Sequence, residues 1–309
     1  MTRFRLLLAA AAVVLLGAAT GCTTRADSAA DGRLRIVTAF YPLQFLAQRI
    51  AGDAPTVANL TKPGAEPHDV ELNPRQVARV ADADLVAYLK GFQPAVDQAV
   101  ALEARDRAFD AATAVPLLPL GDTDPEPGGE ESARLSGGMD PHVWLDPRRF
   151  ATIADLLAAR LGQADPAHAA GYTARAATLH RELDALDTEY AARLATCARR
   201  EIVTGHSAFG YLAQRYGLAQ VGITGVTPEG EPSPRRLIAV AAEAERTGTT
   251  TIFFETLVSP KVAETVAREV GARTAVLDPL EGLTEPGEDY FSVMRRNLTA
   301  LRTGLGCTS

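Results

Sequence analysis

Three histidines and one aspartate lie at positions in this sequence where loops and strand ends could bring them together. His142 lies in the stretch GMDPHVWLDP, between two Asp-Pro steps and two residues before the only tryptophan. His206 directly follows the apolar segment EIVTG, Asp278 ends the segment TAVLD, and His68 lies in PGAEPHDVEL. Because single histidines in loops are common, we expect chemistry here only if the four side chains share one site.

Such a set of side chains would suit a divalent first-row metal ion. Neutral imidazole is a borderline base, so three imidazoles and a carboxylate favour zinc over calcium or magnesium. Four protein ligands leave no coordination position for an activated water molecule, which favours holding the metal over catalysing with it. Two alternatives concern the fourth ligand: Asp278 could instead cap a helix, and Glu66, near His68, could replace it.

Strands alternate with helices on both sides of a long helical segment, and this pattern predicts how the four side chains are positioned. The predicted strands are 34–39, 56–61, 84–90, 114–120, 200–205, 219–224, 250–255 and 273–278. Prolines confine the strand at 114–120 to a sheet edge. The alternation predicts an α/β fold of two lobes, each with a mostly parallel sheet. Open α/β sheets bind ligands at the carboxyl ends of their strands, where His206 and Asp278 lie.

The segment from Pro166 to about Arg200 contains no proline after its first residue and predicts one long helix between the lobes. A helix of that length is about 50 Å long, so we interpret it as a rigid connection. The predicted organisation is a signal peptide at 1–21, a lipid-anchored flexible tether at 22–33, an N-terminal α/β lobe at 34–163, a linking helix at 164–200 and a C-terminal α/β lobe at 201–309. Each lobe then supplies two candidate ligands, and the metal lies between the lobes.

The first residues, MTRFRLLLAAAAVVLLGAATGC, have the layout of a secretory signal. Their apolar run is short for a membrane span, which needs about 20 residues. Cys22, at the end of the small-residue segment, resembles the cysteine of a bacterial lipobox, although Ala19 stands where leucine is usual. We therefore expect an extracytoplasmic lipoprotein anchored to the outer face of the cell membrane; a soluble secreted protein is the alternative.

Charge and cysteine usage agree with an exported protein. The formal net charge is −7, and removal of the signal would take away Arg3 and Arg5 but no acidic residue. An acidic protein of this kind argues against nucleic acid as a partner. Cys197 and Cys307 predict a disulfide in an oxidising compartment, with two free thiols as the alternative. The segment 121–138, rich in glycine, proline and acidic residues, predicts a surface loop.

Four motifs resemble the metal-binding solute receptors of zinc and manganese ABC importers, the cluster A-I family. The motifs are PHDVELNPRQVARVADADLVAYLKGF, DPHVWLDP, IVTGHSAFGYLAQRYGL and FFETLVSPKVAETVAREVGARTAVLDPLEGL, in the family's order within residues 34–305. The resemblance implies two α/β lobes joined by a rigid helix. It also implies that metal is held between the lobes by His68, His142, His206 and Asp278.

His206 indicates the zinc branch of this family, because manganese receptors tend to have a carboxylate at that position. Manganese also prefers oxygen ligands. Many zinc members carry a histidine-rich loop before the second ligand. In this chain the corresponding segment, 121–138, contains no histidine. Glu255, which ends TIFFE, is a candidate acceptor for the other N–H of a ligating imidazole.

We therefore expect a non-enzymatic, monomeric Zn²⁺ receptor that delivers metal to an ABC permease and its ATPase. The alternatives are a manganese receptor of the same family, which would bind Mn²⁺, and a secreted zinc-dependent hydrolase that uses the three histidines and a bound water. An adhesin with a structural metal is a further alternative.

Overall fold

Two parallel sheets, each of four strands, form the framework of residues 33–53, 55–120, 138–228 and 230–308, which the computed structural model describes. The first sheet has the order β2-β1-β3-β4, with β1 at Arg35–Thr38, β2 at Thr56–Asn59, β3 at Leu85–Tyr88 and β4 at Ala108–Asp110. The second has the order β6-β5-β7-β8, with β5 at Glu201–Thr204, β6 at Ala219–Gly222, β7 at Thr251–Phe254 and β8 at Arg273–Val276. All neighbouring strands are parallel, which confirms the predicted α/β class.

Helices connect these strands and cover the sheets. They are α1 (Tyr41–Ala51), α2 (Pro74–Asp82), α3 (Pro94–Glu103), α4 (Pro147–Ala164), α5 (Ala169–Leu194), α6 (Gly210–Tyr216), α7 (Pro234–Arg246), α8 (Lys261–Glu269) and α9 (Tyr290–Leu305). The side chains of Asn73, Asp146 and Ser233 cap α2, α4 and α7, and each is followed by proline. Side-chain caps satisfy the free N–H groups of a first turn, and proline fits there because its missing N–H is not needed.

The fourth strand of the first sheet was predicted at the wrong place. β4 is Ala108–Asp110, and it pairs with β3, whereas the proline-containing segment 114–120 forms an isolated antiparallel bridge between Pro119 and Met139. A hydrogen bond of 2.8 Å runs from Asp140 N to Leu118 O in the same place. The segment therefore supports the chain just before His142 instead of extending the sheet.

The long helix α5 has 26 residues, or roughly 39 Å at 1.5 Å per residue, and is shorter than the predicted linking helix. Pro166 begins a separate 3₁₀ turn before it, and the helix ends at Leu194. α5 packs against α4 and also contacts α1, α6 and α9. One cluster of buried apolar side chains contains Ile36 of β1, Leu183 of α5 and Phe253 of β7. The two sheets therefore share a continuous core.

The predicted disulfide between Cys197 and Cys307 is confirmed in the structure, with 110 residues of sequence separation. It connects the segment after α5 to the end of α9. Main-chain hydrogen bonds from Ala198 N to Gly306 O, at 3.3 Å, and from Arg199 N to Leu305 O, at 3.1 Å, support the same junction. The C-terminal helix is therefore attached to the helix that links the two sheets.

The predicted signal peptide, Cys22 and most of the acidic segment 121–138 lie outside the described residues. Among the helices that the structure describes, none is long and apolar enough to cross a membrane.

We expect the double variant Cys197→Ala/Cys307→Ala to lower the free energy of unfolding, because it releases a loop of 110 residues in the unfolded chain. The chain-entropy model sets the loss at up to about 4–5 kcal/mol. Urea denaturation followed by circular dichroism measures it. A reductant should bring the wild-type midpoint toward that of the variant and leave the variant unchanged. Equal midpoints for both proteins in oxidising buffer would contradict the prediction.

Candidate metal centre

Four buried side chains from four separate loops meet at one point: His68, His142, His206 and Glu281. His68 lies in the loop between β2 and α2, and His142 directly precedes a 3₁₀ turn that leads into α4. His206 lies just beyond the end of β5, and Glu281 lies in the loop after β8. Two ligand candidates thus come from the part of the chain before α5 and two from the part after it.

The spacing of the donor atoms fits a tetrahedral zinc ion. Glu281 Oε1 lies 3.3 Å from His68 Nε2, 3.2 Å from His142 Nε2 and 3.3 Å from His206 Nε2. The Nε2 atoms of His142 and His206 are 3.4 Å apart. Donors at 2.0–2.1 Å from a tetrahedral zinc are separated by roughly 3.3–3.4 Å, so these atoms are already at the required separation.

The four groups are shielded from solvent, with 6% of His68, 1% of Glu281 and none of His142 or His206 exposed. Buried polar groups are costly unless they have partners. Three nitrogen donors and one carboxylate oxygen match the preference of zinc, which accepts both atom types in a closed tetrahedral set. The donor chemistry and the burial therefore both fit a fully enclosed Zn²⁺ ion.

Asp278 lies outside this cluster, and the structure puts Glu281 in the fourth position instead. Asp278 Oδ1 accepts a hydrogen bond from Leu280 N at 2.8 Å, and Oδ2 accepts one from the Thr256 hydroxyl at 3.0 Å. Both oxygens therefore face the neighbouring loop and not the three imidazoles. The prediction of Asp278 as a ligand does not agree with this geometry, because Asp278 lies two residues beyond β8 and the turn that follows it brings Glu281 to the three histidines.

The alternative fourth ligand, Glu66, lies at the edge of the site. Its Oε1 is 3.9 Å from His68 Nε2, which is farther than Glu281 Oε1, and its Oε2 accepts a hydrogen bond from Asp69 N at 3.3 Å. Among the described residues, Glu66 does not belong to the group whose donor atoms converge.

Buried carboxylates lie beside the Nδ1 atoms of both His142 and His206. Asp140 Oδ1 lies 2.8 Å from His142 Nδ1 and accepts the main-chain N–H of His142 at 2.9 Å. Glu255 Oε2 lies 2.7 Å from His206 Nδ1, and its Oε1 accepts the main-chain N–H of His206 at 2.9 Å. A carboxylate beside Nδ1 favours a proton on that atom and leaves Nε2 as the donor to metal. Glu255 was a candidate for this role in the sequence analysis, whereas Asp140 was not considered there.

Two glycines make room for these carboxylates. A Cβ atom on Gly205 would lie 2.6 Å from Glu255 Oε1, and one on Gly210 would lie 2.7 Å from Asp140 Oδ2. Both separations are too short for non-bonded atoms, so any larger residue would displace the carboxylate. The GHSAFG segment therefore supplies His206 and the space for the carboxylates beside His206 and His142.

Aromatic rings form the apolar side of the site. The ring centroids of Phe92 and His68 are 4.5 Å apart, and those of Trp144 and His142 are 5.2 Å apart. The expectation that the tryptophan packs beside His142 is confirmed. Trp144 is also fully buried, and its Nε1 donates to Pro279 O at 2.7 Å. Trp144 thus contacts both the His142 segment and the turn before Glu281.

Electrostatics couples the four groups strongly. Burial alone would lower the pKa of His206, but Glu255 and Glu281 raise it well above its usual value. Burial likewise opposes protonation of His142, whose pKa is nevertheless raised by Asp140 and Glu281. For His68 burial prevails, and its pKa is lowered. Burial would raise the pKa of Glu281, but the neighbouring histidines lower it well below its usual value. Glu281 is therefore held as a carboxylate.

Residues 36–304 match the model of one protein family, described as zinc-uptake complex component A, periplasmic. The chain belongs to this family. It is 37% identical over 289 residues to the zinc-binding protein AdcA of Streptococcus pyogenes, covering 88% of this chain and 56% of AdcA. It is 33% identical to the high-affinity zinc uptake system protein ZnuA of Bacillus subtilis, covering 96% of this chain and 95% of that relative. The chain thus spans little more than half the length of AdcA and nearly all of ZnuA.

The fold of this chain is similar to that of a zinc-bound protein of known structure. Zn(II)-bound AdcA from Streptococcus pneumoniae superposes with a TM-score of 0.74 at 34% sequence identity, and the match covers 89% of this chain and 58% of AdcA.

We expect Glu281→Gln to weaken zinc binding by at least about 10-fold, the scale seen when a carboxylate that acts on a metal site is replaced, because the amide lacks the charge that balances the cation. Competition with a chromogenic chelator measures the affinity. Glu285→Gln is the matched control, since Glu285 is an exposed acid in the same loop. Equal affinities for the two variants would contradict the role of Glu281.

Zinc should change the fluorescence of Trp144, the only tryptophan of the chain, because the indole packs against His142. The change should saturate at one zinc per chain, and His142→Ala should abolish it. His180→Ala is the control, since His180 lies on α5 and pairs with Asp155 at 2.7 Å. A titration of the wild type without any change would count against a metal site at His142.

Proposed function

We propose that this protein is an extracytoplasmic receptor that binds Zn²⁺ with high affinity and delivers it to an ABC-type permease for import. The observation that supports this most directly is the contact of one carboxylate oxygen, Glu281 Oε1, with three imidazole Nε2 atoms at 3.2–3.3 Å. Membership of the zinc-uptake family supports the same conclusion. Zinc is the cargo of such a receptor, and the protein's task is to hold and release it.

The donor set supports zinc over manganese as the cargo. Three of the four converging donors are imidazole nitrogens, whereas manganese prefers oxygen donors and commonly takes six. The burial of His142, His206 and Glu281 leaves little access for additional water ligands. A manganese ion would therefore be held with fewer oxygen ligands than it prefers.

The same closed set supports a receptor over a zinc-dependent hydrolase. A catalytic zinc typically has three protein ligands and a water molecule that attacks the substrate. Here Glu281 offers a fourth donor atom beside the three histidines, so a tetrahedral zinc ion bound by all four would have no position left for such a water molecule. The two other carboxylates beside the histidines, Asp140 and Glu255, contact the Nδ1 atoms and so serve to orient the rings.

A cavity of about 420 Å³ lies beside Glu281. Its lining includes Tyr41, Asn59, Thr61 and Gly282. This cavity is the side from which a zinc ion would approach Glu281.

Lipid attached to Cys22 would keep the receptor on the outer face of the membrane, next to the permease. The ligands lie in loops and not inside the sheets, so binding orders surface loops that a permease can contact. We propose that the permease distinguishes loaded from empty receptor through these loops, and that the receptor acts as a monomer.

The function is tested by deleting the gene and measuring growth under zinc limitation. Wild-type protein expressed in the deletion strain should restore growth and zinc accumulation, whereas His206→Ala should not, because it removes a donor atom. His168→Ala is the control, since His168 is a largely exposed residue before α5. Mass spectrometry of metal bound to the purified protein, with zinc and manganese in competition, tests the choice of metal. Rescue by manganese but not zinc would indicate a manganese receptor, and unimpaired growth of the deletion strain would argue against uptake.

A further inference from the structure

The turn that connects β8 to Glu281 is held from two sides. Asn297 of α9 accepts a hydrogen bond from Asp278 N at 2.9 Å and donates its amide to Asp278 O at 2.7 Å. Trp144 Nε1 donates to Pro279 O at 2.7 Å. Asn297 and Trp144 are both almost completely buried, so these contacts fix the main chain of the turn to the core.

The last residue of the turn has an uncommon conformation. Leu280 has φ = 60°, in the left-handed region that residues with a Cβ atom rarely adopt. Its side chain is fully buried. The Asp278 carboxylate stabilises this turn, because Oδ1 accepts the N–H of Leu280, two residues ahead, at 2.8 Å. Aspartate and asparagine side chains commonly stabilise turns with this local hydrogen bond.

We propose that Asp278 is a positioning residue for the fourth ligand: its carboxylate holds the left-handed turn at Leu280 and thereby directs Glu281 toward the three histidines. This inference rests on the proposed function, in which Glu281 is a zinc ligand. The direction of the chain at Leu280 determines where the next side chain points. Glu281 Oε1 lies within 3.2–3.3 Å of three nitrogen atoms at once, so a rotated turn would lose the tetrahedral arrangement.

The proposed role depends on hydrogen bonds and not on the negative charge of Asp278. An asparagine at this position has an oxygen that can accept from Leu280 N and an amide that can donate to the Thr256 hydroxyl, which now donates to Asp278 Oδ2 at 3.0 Å. Alanine removes both contacts. Arg296 lies 3.6 Å from Asp278 Oδ2, but its side chain is 41% exposed, and an ion pair in contact with solvent contributes little.

Cobalt and zinc titrations of the wild type, Asp278→Ala, Asp278→Asn and Glu281→Gln test this role. Co²⁺ reports its own coordination, since its visible d–d bands are intense in a tetrahedral site and weak in an octahedral one. We expect Asp278→Ala to bind zinc at least about 10-fold more weakly than wild type, the scale known for residues that orient metal ligands, with weaker cobalt bands. Asp278→Asn should resemble the wild type in both measurements, and Glu281→Gln should lose the most affinity.

Two outcomes would overturn the inference. Wild-type affinity and band intensity in Asp278→Ala would show that Glu281 needs no support from this side chain. A loss in Asp278→Asn as large as that in Glu281→Gln would show that the carboxylate itself acts on the metal. A role in overall stability alone would lower the melting temperature of Asp278→Ala without changing the cobalt spectrum, and would also overturn it.

Thr256→Val provides an independent variant if Asp278→Ala does not fold. It removes the hydroxyl that donates to Asp278 Oδ2 and keeps the shape of the side chain. We expect several-fold weaker zinc binding with weaker cobalt bands, and wild-type values would overturn the inference. Absence of cobalt and zinc binding by the wild type is distinguishable from these results, because it would overturn the proposed function itself.

Discussion

The contact of one buried carboxylate with three imidazoles is the interaction on which the rest of this structure depends. Glu281 Oε1 is shared by His68, His142 and His206, and all four groups are removed from solvent. A charge in such surroundings is stable only beside opposite charge. In the metal-free protein, Asp140, Glu255 and Glu281 raise the pKa values of His142 and His206, which favours positive charge beside Glu281. A zinc ion would supply it in the loaded protein.

The surrounding fold keeps these groups in place. Asp140 and Glu255 fix the rings of His142 and His206, and their carboxylates fit only because glycines lie next to them. The sheets share a core that runs through α5, so the lobes expected from the sequence are joined by packing as well as by a helix.

Much of this arrangement could be predicted from the sequence because alternation of apolar segments and capped helices encodes the sheets directly. The three histidines that converge were candidates in the sequence because they follow strands or precede a capped helix. The fourth ligand was assigned to Asp278, which ends a strand, because the left-handed turn at Leu280 is not encoded by any residue typical of that conformation. Asp140 was missed although it stands two residues before His142, since proximity in sequence does not reveal which nitrogen a carboxylate faces.

The support that the last helix gives to the metal centre affects the order in which the protein matures. Asn297, which holds the turn before Glu281, belongs to α9, the final helix of the described chain. The four side chains of the centre therefore take up this arrangement only after the chain has folded through α9.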